Sequence, residues 1–165
     1  MDQAARLRAL LRAPGMTIAP GAYDGLTAKL VEQAGFPVVY MTGAGTSVAH
    51  GYPDFGLLTE SEMVANAARM ARATSCPLIA DADTGYGNEL NVVRTVADYE
   101  RAGVAGIHIE DQVSPKRCGH LDDKEIVPAE DWLAKIRAAA RSRSNPDFLV
   151  IARTDARAVV GFQEA

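Results

Sequence analysis

Carboxylates, a reactive thiol and an arginine recur in this chain at the ends of short apolar runs. Asp81 and Asp83 stand two residues apart in Asp81-Ala82-Asp83-Thr84-Gly85-Tyr86-Gly87, at the end of the run Leu78–Ala80. Spacing by two on an extended strand points both side chains to one side. With Glu110, at the end of another apolar run, they form the oxygen-only donor set that hard cations prefer. Asp is also a common cap and turn residue, and for an isolated Asp-x-Asp that use is the commoner one. Glu110 and Arg153, both at further strand ends, shift the reading towards a metal-dependent site. Lys116-Arg117-Cys118-Gly119-His120 surrounds a thiol with cationic and titratable side chains, an environment that favours the thiolate and suits proton transfer. An incidental cysteine in a solvated basic loop is the alternative. Thr42-Gly43-Ala44-Gly45-Thr46, near a helix or turn start, offers small residues and free N–H groups to a carboxylate or phosphate. It matches neither the dinucleotide G-x-G-x-x-G nor the P-loop, and taken alone reads as a tight turn. His108, inside an apolar run, reads as a satisfied interior histidine or as a donor to another side chain, and Cys76 as packing.

The elements that must position these residues alternate. Strands are expected at Thr17–Ala19, Val38–Met41, Leu78–Ala80, Gly106–Ile109 and Phe148–Ala152. Between them Leu26–Ala34, Glu60–Thr74, Leu90–Ala102 and Ala129–Arg141 carry apolar residues at helical spacing, and an amphipathic helix is expected over about 2–13. Gly35 and Gly103 stand where left-handed caps would end helices. Apolar strands alternating with helices mean an α/β protein with a parallel sheet covered by helices. These polar residues then share the carboxyl-end face of that sheet, where ligands bind in such folds. The pattern leaves a doubly wound sheet and a (βα)8 barrel open, since a barrel takes about 250 residues in its usual form.

The chain has 165 residues, 48% hydrophobic and 23% charged, with a net charge of −4. This composition excludes a disordered chain, and the length suits one domain, 1–165. Mild acidity argues against nucleic acid as a partner. The absence of an apolar run near the ~20 residues of a membrane span argues against a membrane partner. With no signal-peptide pattern at the start, a cytoplasmic location is the default, and the two cysteines are read as thiols.

Together the motifs resemble the isocitrate lyase / phosphoenolpyruvate mutase superfamily. The resemblance rests on Lys116-Arg117-Cys118-Gly119-His120-Leu121 and Asp81–Gly87. Gly106–Gln112, Pro53-Asp54-Phe55-Gly56 and Ile151–Ala156 support it, in the family's order. It implies a (βα)8 TIM barrel, of which this chain would hold the first five βα units as a truncated barrel. It further implies a homotetramer for the full-length protein, and Mg²⁺, with Mn²⁺ as a substitute, as cofactor. By resemblance Asp81 is the principal metal anchor, with Asp54, Asp83 and Glu110 holding its water shell. Tyr40, Thr42, Gly43 and Ala44 match the substrate carboxylate loop, with Arg117 and Gly119 also placed among the substrate-binding residues. Arg153 matches the arginine that pairs with substrate carboxylate. Lys116 to His120 match a mobile gating loop that contains the catalytic cysteine, Cys118, supported by Lys116 and His120.

The activity implied is Mg²⁺-dependent carbon–carbon cleavage of a small 2-hydroxy di- or tricarboxylate, of 2-methylisocitrate or 2-alkylmalate type. Retro-aldol chemistry would give an α-keto acid and a second carboxylic acid. Alternatives within the family are a phosphonate or carboxyphosphonoenolpyruvate mutase and an oxaloacetate decarboxylase or hydrolase. Outside enzymes, the chain could be an inactive fragment or a complementing half-barrel. A nicotinamide-linked oxidoreductase lacks its phosphate fingerprint.

Overall fold

The computed structural model describes residues 2–165. The strands are β1 (Gly21–Ala22), β2 (Val39–Met41), β3 (Leu78–Asp81), β4 (Gly106–Glu110) and β5 (Leu149–Arg153). The helices are α1 (Gln3–Arg12), α2 (Gly25–Gln33), α3 (Gly43–Ala49), α4 (Glu60–Ala73), α5 (Glu89–Ala102), α6 (Ala129–Ser142) and α7 (Ala156–Val159). No described helix is long and apolar enough to cross a membrane.

All strand pairs are parallel and the spatial order is β1-β2-β3-β4-β5, the order of the sequence. A doubly wound sheet reverses its strand order at a switch point. This sheet has no reversal, so it has the strand order of a (βα)8 barrel. Side-chain alternation gives the sheet two faces. Val39, Met41, Leu78, Ala80, Ile107 and Ile109 pack with helix residues such as Met63, Met70, Val96, Tyr99 and Ala139. On the other face Val38, Ile79 and Ala105 enclose Leu7 of α1, with Tyr40, Leu149 and Ile151 beside them. Val38 and Ala105 immediately precede their strands, so α1 seals the amino end of this inner face. The carboxyl end is left to the polar residues.

Five helices, α1, α2, α4, α5 and α6, fall within one residue at either end of their expected spans, and three of their starts are chemically marked. Asp24 with Thr27, Thr59 with Glu62, and Asn88 with Asn91 form reciprocal capping boxes at the starts of α2, α4 and α5. Gly103 ends α5 with φ 85°, and Gly35, with φ 86°, follows α2.

Two expectations need correction. Thr17–Ala19 is not a strand; β1 lies at Gly21–Ala22, paired with Tyr40 and Met41. Apolarity misplaced it, since Ile18 is 52% exposed and only the stretch from Pro20 to Ala22 bonds to β2. The Thr42–Thr46 turn is instead the start of α3, with Thr42 as its N-cap accepting from Gly45 N. A Gly-Ala-Gly sequence has poor helix propensity, and the cap and burial of Thr46 and Ser47 override it.

Candidate active site

Parallel strands deliver their last residues to one edge, and β3, β4 and β5 end in Asp81, Glu110 and Arg153. Asp81 is fixed at both oxygens. Its Oδ2 accepts Gly43 N at 3.1 Å and its Oδ1 accepts Asp83 N at 3.0 Å. Only glycine fits at 43, because a Cβ there would lie 2.6 Å from Asp81 Oδ2. Beneath, Tyr99 Oη of α5 donates to the Asp81 carbonyl at 3.0 Å and meets Tyr86 Oη at 3.1 Å. Thr95 Oγ1 donates to Gly85 O at 3.1 Å, and the buried Lys135 Nζ of α6 donates to Thr84 O at 3.2 Å. The Asp81–Gly85 turn is therefore held from below by helix side chains.

Asp83 joins Asp81 by a route other than strand alternation. It lies beyond β3 with φ 45°, a left-handed turn that returns its carboxylate towards Asp81 and Gly43. Lys116 Nζ pairs with Asp54 and lies 3.4 Å from Asp83 Oδ1. That approach lacks hydrogen-bond geometry and leaves the buried Oδ1 without a hydrogen-bond partner. Arg153 bridges Glu110, at 2.9 Å, and Asp155, at 3.0 Å.

The electrostatics follow from carboxylates outnumbering cations in a dry setting. Burial and the Asp81 charge push Asp83 up to about 7, against the pull of Lys116. Burial likewise raises Glu110 to about 7 despite Arg153. Burial works against charge on Lys116, but Asp83, Asp54 and Asp81 outweigh it and hold the ammonium above its ordinary range. His108 is lowered by burial, and its Nδ1 sits 3.0 Å from Tyr40 Oη and 3.8 Å from Asp81 Oδ1.

One cavity of about 380 Å³ is lined by Tyr40, Thr42, Ala44, Asp54, Asp81, Lys116, Cys118, Gly119, His120 and Arg153. These expected residues come from three strand ends, the start of α3 and two loops. The others stand apart from its wall. Gly43 gives its N–H to Asp81 instead of to the cavity, Asp83 and Glu110 are buried behind Lys116 and Arg153, and Arg117 is exposed. Cys118 is a free, half-buried thiol; Cys76 is also free and bonds to Phe36 O at 3.4 Å. Sequence reasoning missed Asp155, Gln112, Tyr99 and Lys135 as site residues. Asp155 lies two residues past Arg153, a spacing that signalled it; the helix residues carry no local signal.

Among the described residues, no group of three or more His, Cys, Asp or Glu side chains is gathered closely enough to hold a metal ion. Lys116 and Arg153 stand between the carboxylates instead. The donor set nevertheless fits a hard divalent cation. Its donors are carboxylate oxygens, Asp83 Oδ1 is buried without a hydrogen bond, and burial together with the Asp81 charge holds two carboxyls up to about 7.

The family model described as Phosphoenolpyruvate phosphomutase matches residues 7–164. The chain belongs to the isocitrate lyase / phosphoenolpyruvate mutase superfamily. Within this superfamily it is 55% identical over 166 residues to the 2,3-dimethylmalate lyase of Eubacterium barkeri, covering 100% of this chain and 57% of the relative. A solved oxaloacetate acetylhydrolase, in complex with the inhibitor 3,3-difluorooxalacetate, superposes with a TM-score of 0.94 at 44% identity. That match covers 99% of this chain and 57% of the other. Phosphonopyruvate hydrolase, in complex with oxalate and Mg²⁺, superposes with a TM-score of 0.91 at 38% identity, covering 99% and 56%. The chain thus spans somewhat over half the length of these superfamily members.

Proposed function

We propose that the protein to which this chain belongs is a Mg²⁺-dependent carbon–carbon lyase acting on a small 2-hydroxy dicarboxylate or tricarboxylate of 2-alkylmalate or 2-methylisocitrate type. The observation that carries this reading is the shared cavity, which sets the Cys118 thiol, the Arg153 guanidinium and the Asp81 carboxylate around one space. The likeness to 2,3-dimethylmalate lyase supports the substrate class, and the oxalate and Mg²⁺ of phosphonopyruvate hydrolase support the metal.

Asp81 would anchor the cation, and Asp54, Asp83 and Glu110 would hold its water shell once Lys116 and Arg153 yield to it. When bound, the ion supplies Lewis-acid polarisation of the substrate hydroxyl oxygen. Arg153 takes a substrate carboxylate by charge-assisted hydrogen bonds, exchanging part of its hold on Glu110 and Asp155. Thr42 and Ala44 line the same cavity, with Tyr40 Oη steadied by His108. Transfer of the hydroxyl proton to a carboxylate of the acidic rim, with cleavage of the adjacent C–C bond, leaves an α-keto acid and the enolate of the second acid. Cys118 S–H then gives its proton to the enolate carbon, while Lys116 and His120 stand on the same loop. The loop over Arg153 keeps water from that carbanion. A tetrameric full-length assembly forms part of the same family-based reading.

The test is Cys118→Ser in the complete enzyme, assayed on 2,3-dimethylmalate and 2-methylisocitrate. We expect turnover to fall by about 10²-fold or more, with Mn²⁺ affinity unchanged; an unaltered rate removes the acid role. The second reading is hydrolysis of oxaloacetate, favoured by the 0.94 TM-score to oxaloacetate acetylhydrolase. Oxaloacetate and phosphonopyruvate in the same screen decide between them, since turnover of those substrates alone would displace the lyase.

A further inference from the structure

Gln112 is almost fully buried just beyond β4, at the foot of the loop that carries Cys118. Its backbone bridges Ile126 in antiparallel fashion, flanked by bonds from Val113 N to Glu125 O at 2.8 Å and Val127 N to Asp111 O at 2.9 Å. Residues 111–113 and 125–127 are thus the stem of the loop. A buried amide is costly unless its polar atoms are satisfied, and all of this one's partners lie in the loop or the charged cluster. Gln112 Oε1 accepts Arg117 N at 3.0 Å, and Nε2 donates to Arg117 O at 3.0 Å. The amide therefore grips both main-chain groups of the residue before Cys118, as a neighbouring strand would. The same Nε2 lies 3.1 Å from Glu110 Oε1 and 3.3 Å from Asp155 Oδ2, the two carboxylates that Arg153 bridges. Two protons thus serve three acceptors, so loop and ion cluster compete for one nitrogen. On the loop's far side Gly119 lies against Arg153, where a Cβ would fall 2.3 Å from Nη2. Lys124 Nζ completes the turn by holding Gly119 O and Leu121 O, each at 2.8 Å.

We propose that Gln112 is a positioning residue, a latch that ties the Arg117 backbone to the Glu110–Arg153–Asp155 cluster and so sets the Cys118 thiol over the cavity. Its consequence for turnover rests on the reading of Cys118 as proton donor. The latch itself does not, and is measured on the 165-residue chain.

The experiment follows amide hydrogen exchange together with alkylation of Cys118 by iodoacetamide, in a Cys76→Ala background. In Gln112→Leu the Arg117 amide should exchange about tenfold faster or more, as expected for loss of two hydrogen bonds, and Cys118 should alkylate several-fold faster. Amides of β3 and β4 should keep their protection. Gln112→Glu keeps an acceptor for Arg117 N but has no N–H for Arg117 O. It should retain most of the Arg117 protection while Cys118 alkylation still rises. That split distinguishes a latch from general loosening, which would move both together. Wild-type Arg117 exchange and Cys118 alkylation in a folded Gln112→Leu chain overturn the proposal. Should that variant lose its core protection, Gln112→Glu decides: unchanged Cys118 alkylation there overturns the proposal as well. If Cys118→Ser leaves turnover intact but Arg117 exchange responds to Gln112, the lyase reading fails and the latch stands.

Discussion

Replacing Gly43 with Ala tests how the junction of β2 and α3 builds the acidic rim. Gly43 is the first residue of α3, and Ala there gains about 0.5–1 kcal/mol of helix preference over Gly. Against that gain stands the new Cβ, 2.6 Å from Asp81 Oδ2 and 3.1 Å from Asp81 Cγ. The carboxylate cannot simply turn aside, because its other oxygen is held by Asp83 N at 3.0 Å. The displaced bond from Gly43 N is made to a charged group, and such bonds are worth about 1.5–3 kcal/mol. The difference is a net loss of about 1–2 kcal/mol, by the same magnitudes. For a chain of this size that lowers Tm by about 2–8 °C. Calorimetry in EDTA at pH 7.5 measures it. Mn²⁺ titration followed by electron paramagnetic resonance should also show affinity weakened about tenfold or more, the usual cost of disturbing a group that orients a metal ligand. A Tm equal to or above wild type would refute the reasoning, since helix preference would then outweigh the contact and Asp81 would not be pinned.

Lys116→Met should lower Tm by about 6–20 °C at pH 8, because breaking a buried ion pair costs about 3–5 kcal/mol. Part of the loss should return at pH 5.5, where Asp83, held up to about 7, is neutral; equal losses at both pH values would contradict that origin. In the metal-free wild type, Asp83 and Glu110 titrate near 7 when folded and near 4 when unfolded. The folded chain therefore binds more protons across that window, and their contribution to stability is present below about 4 and is lost as pH rises to about 7. Carboxylates lowered by hydrogen bonds, such as Glu32 beside Ser75, act in the opposite sense only at lower pH. Tm measured from pH 4.5 to 8 should fall with pH in EDTA, and saturating Mg²⁺ should flatten or invert the slope. A slope indifferent to Mg²⁺ would contradict the metal assignment. Tyr99→Phe removes the donor to the Asp81 carbonyl and the partner of Tyr86. It should cost about 1–3 kcal/mol, or about 2–12 °C in Tm, and a thermally neutral variant would show that water replaces the hydroxyl.

What could be read along the chain was what is written locally. Capping pairs such as Thr59–Glu62 and Asn88–Asn91, the αL glycine at 103, and apolar runs at β2 to β5 all carry their geometry within a few residues. β1 was misplaced because a two-residue edge strand is defined by its partner: Gly21 and Ala22 are extended only where Tyr40 and Met41 bond to them. α3 was missed because its helix rests on the Thr42 cap and on burial, against a weak intrinsic propensity.

At the site, residue types and strand-end placement were enough to nominate Asp81, Glu110, Arg153 and Cys118, because parallel strands must bring their carboxyl ends to one edge. The amino-acid order could not say which donor each side chain meets. The Gly43 N–H looked like a cradle for a ligand and instead holds Asp81. Asp83 reaches the rim through a left-handed turn instead of by strand alternation. Gln112, Tyr99 and Lys135 gained their places only when distant segments packed, since a hydrogen bond formed across the fold leaves no period or spacing in the chain. Chemistry was therefore decided by sequence, and the pairing of charges by tertiary structure, because local bonding sets which groups arrive while burial sets how strongly each must find a partner.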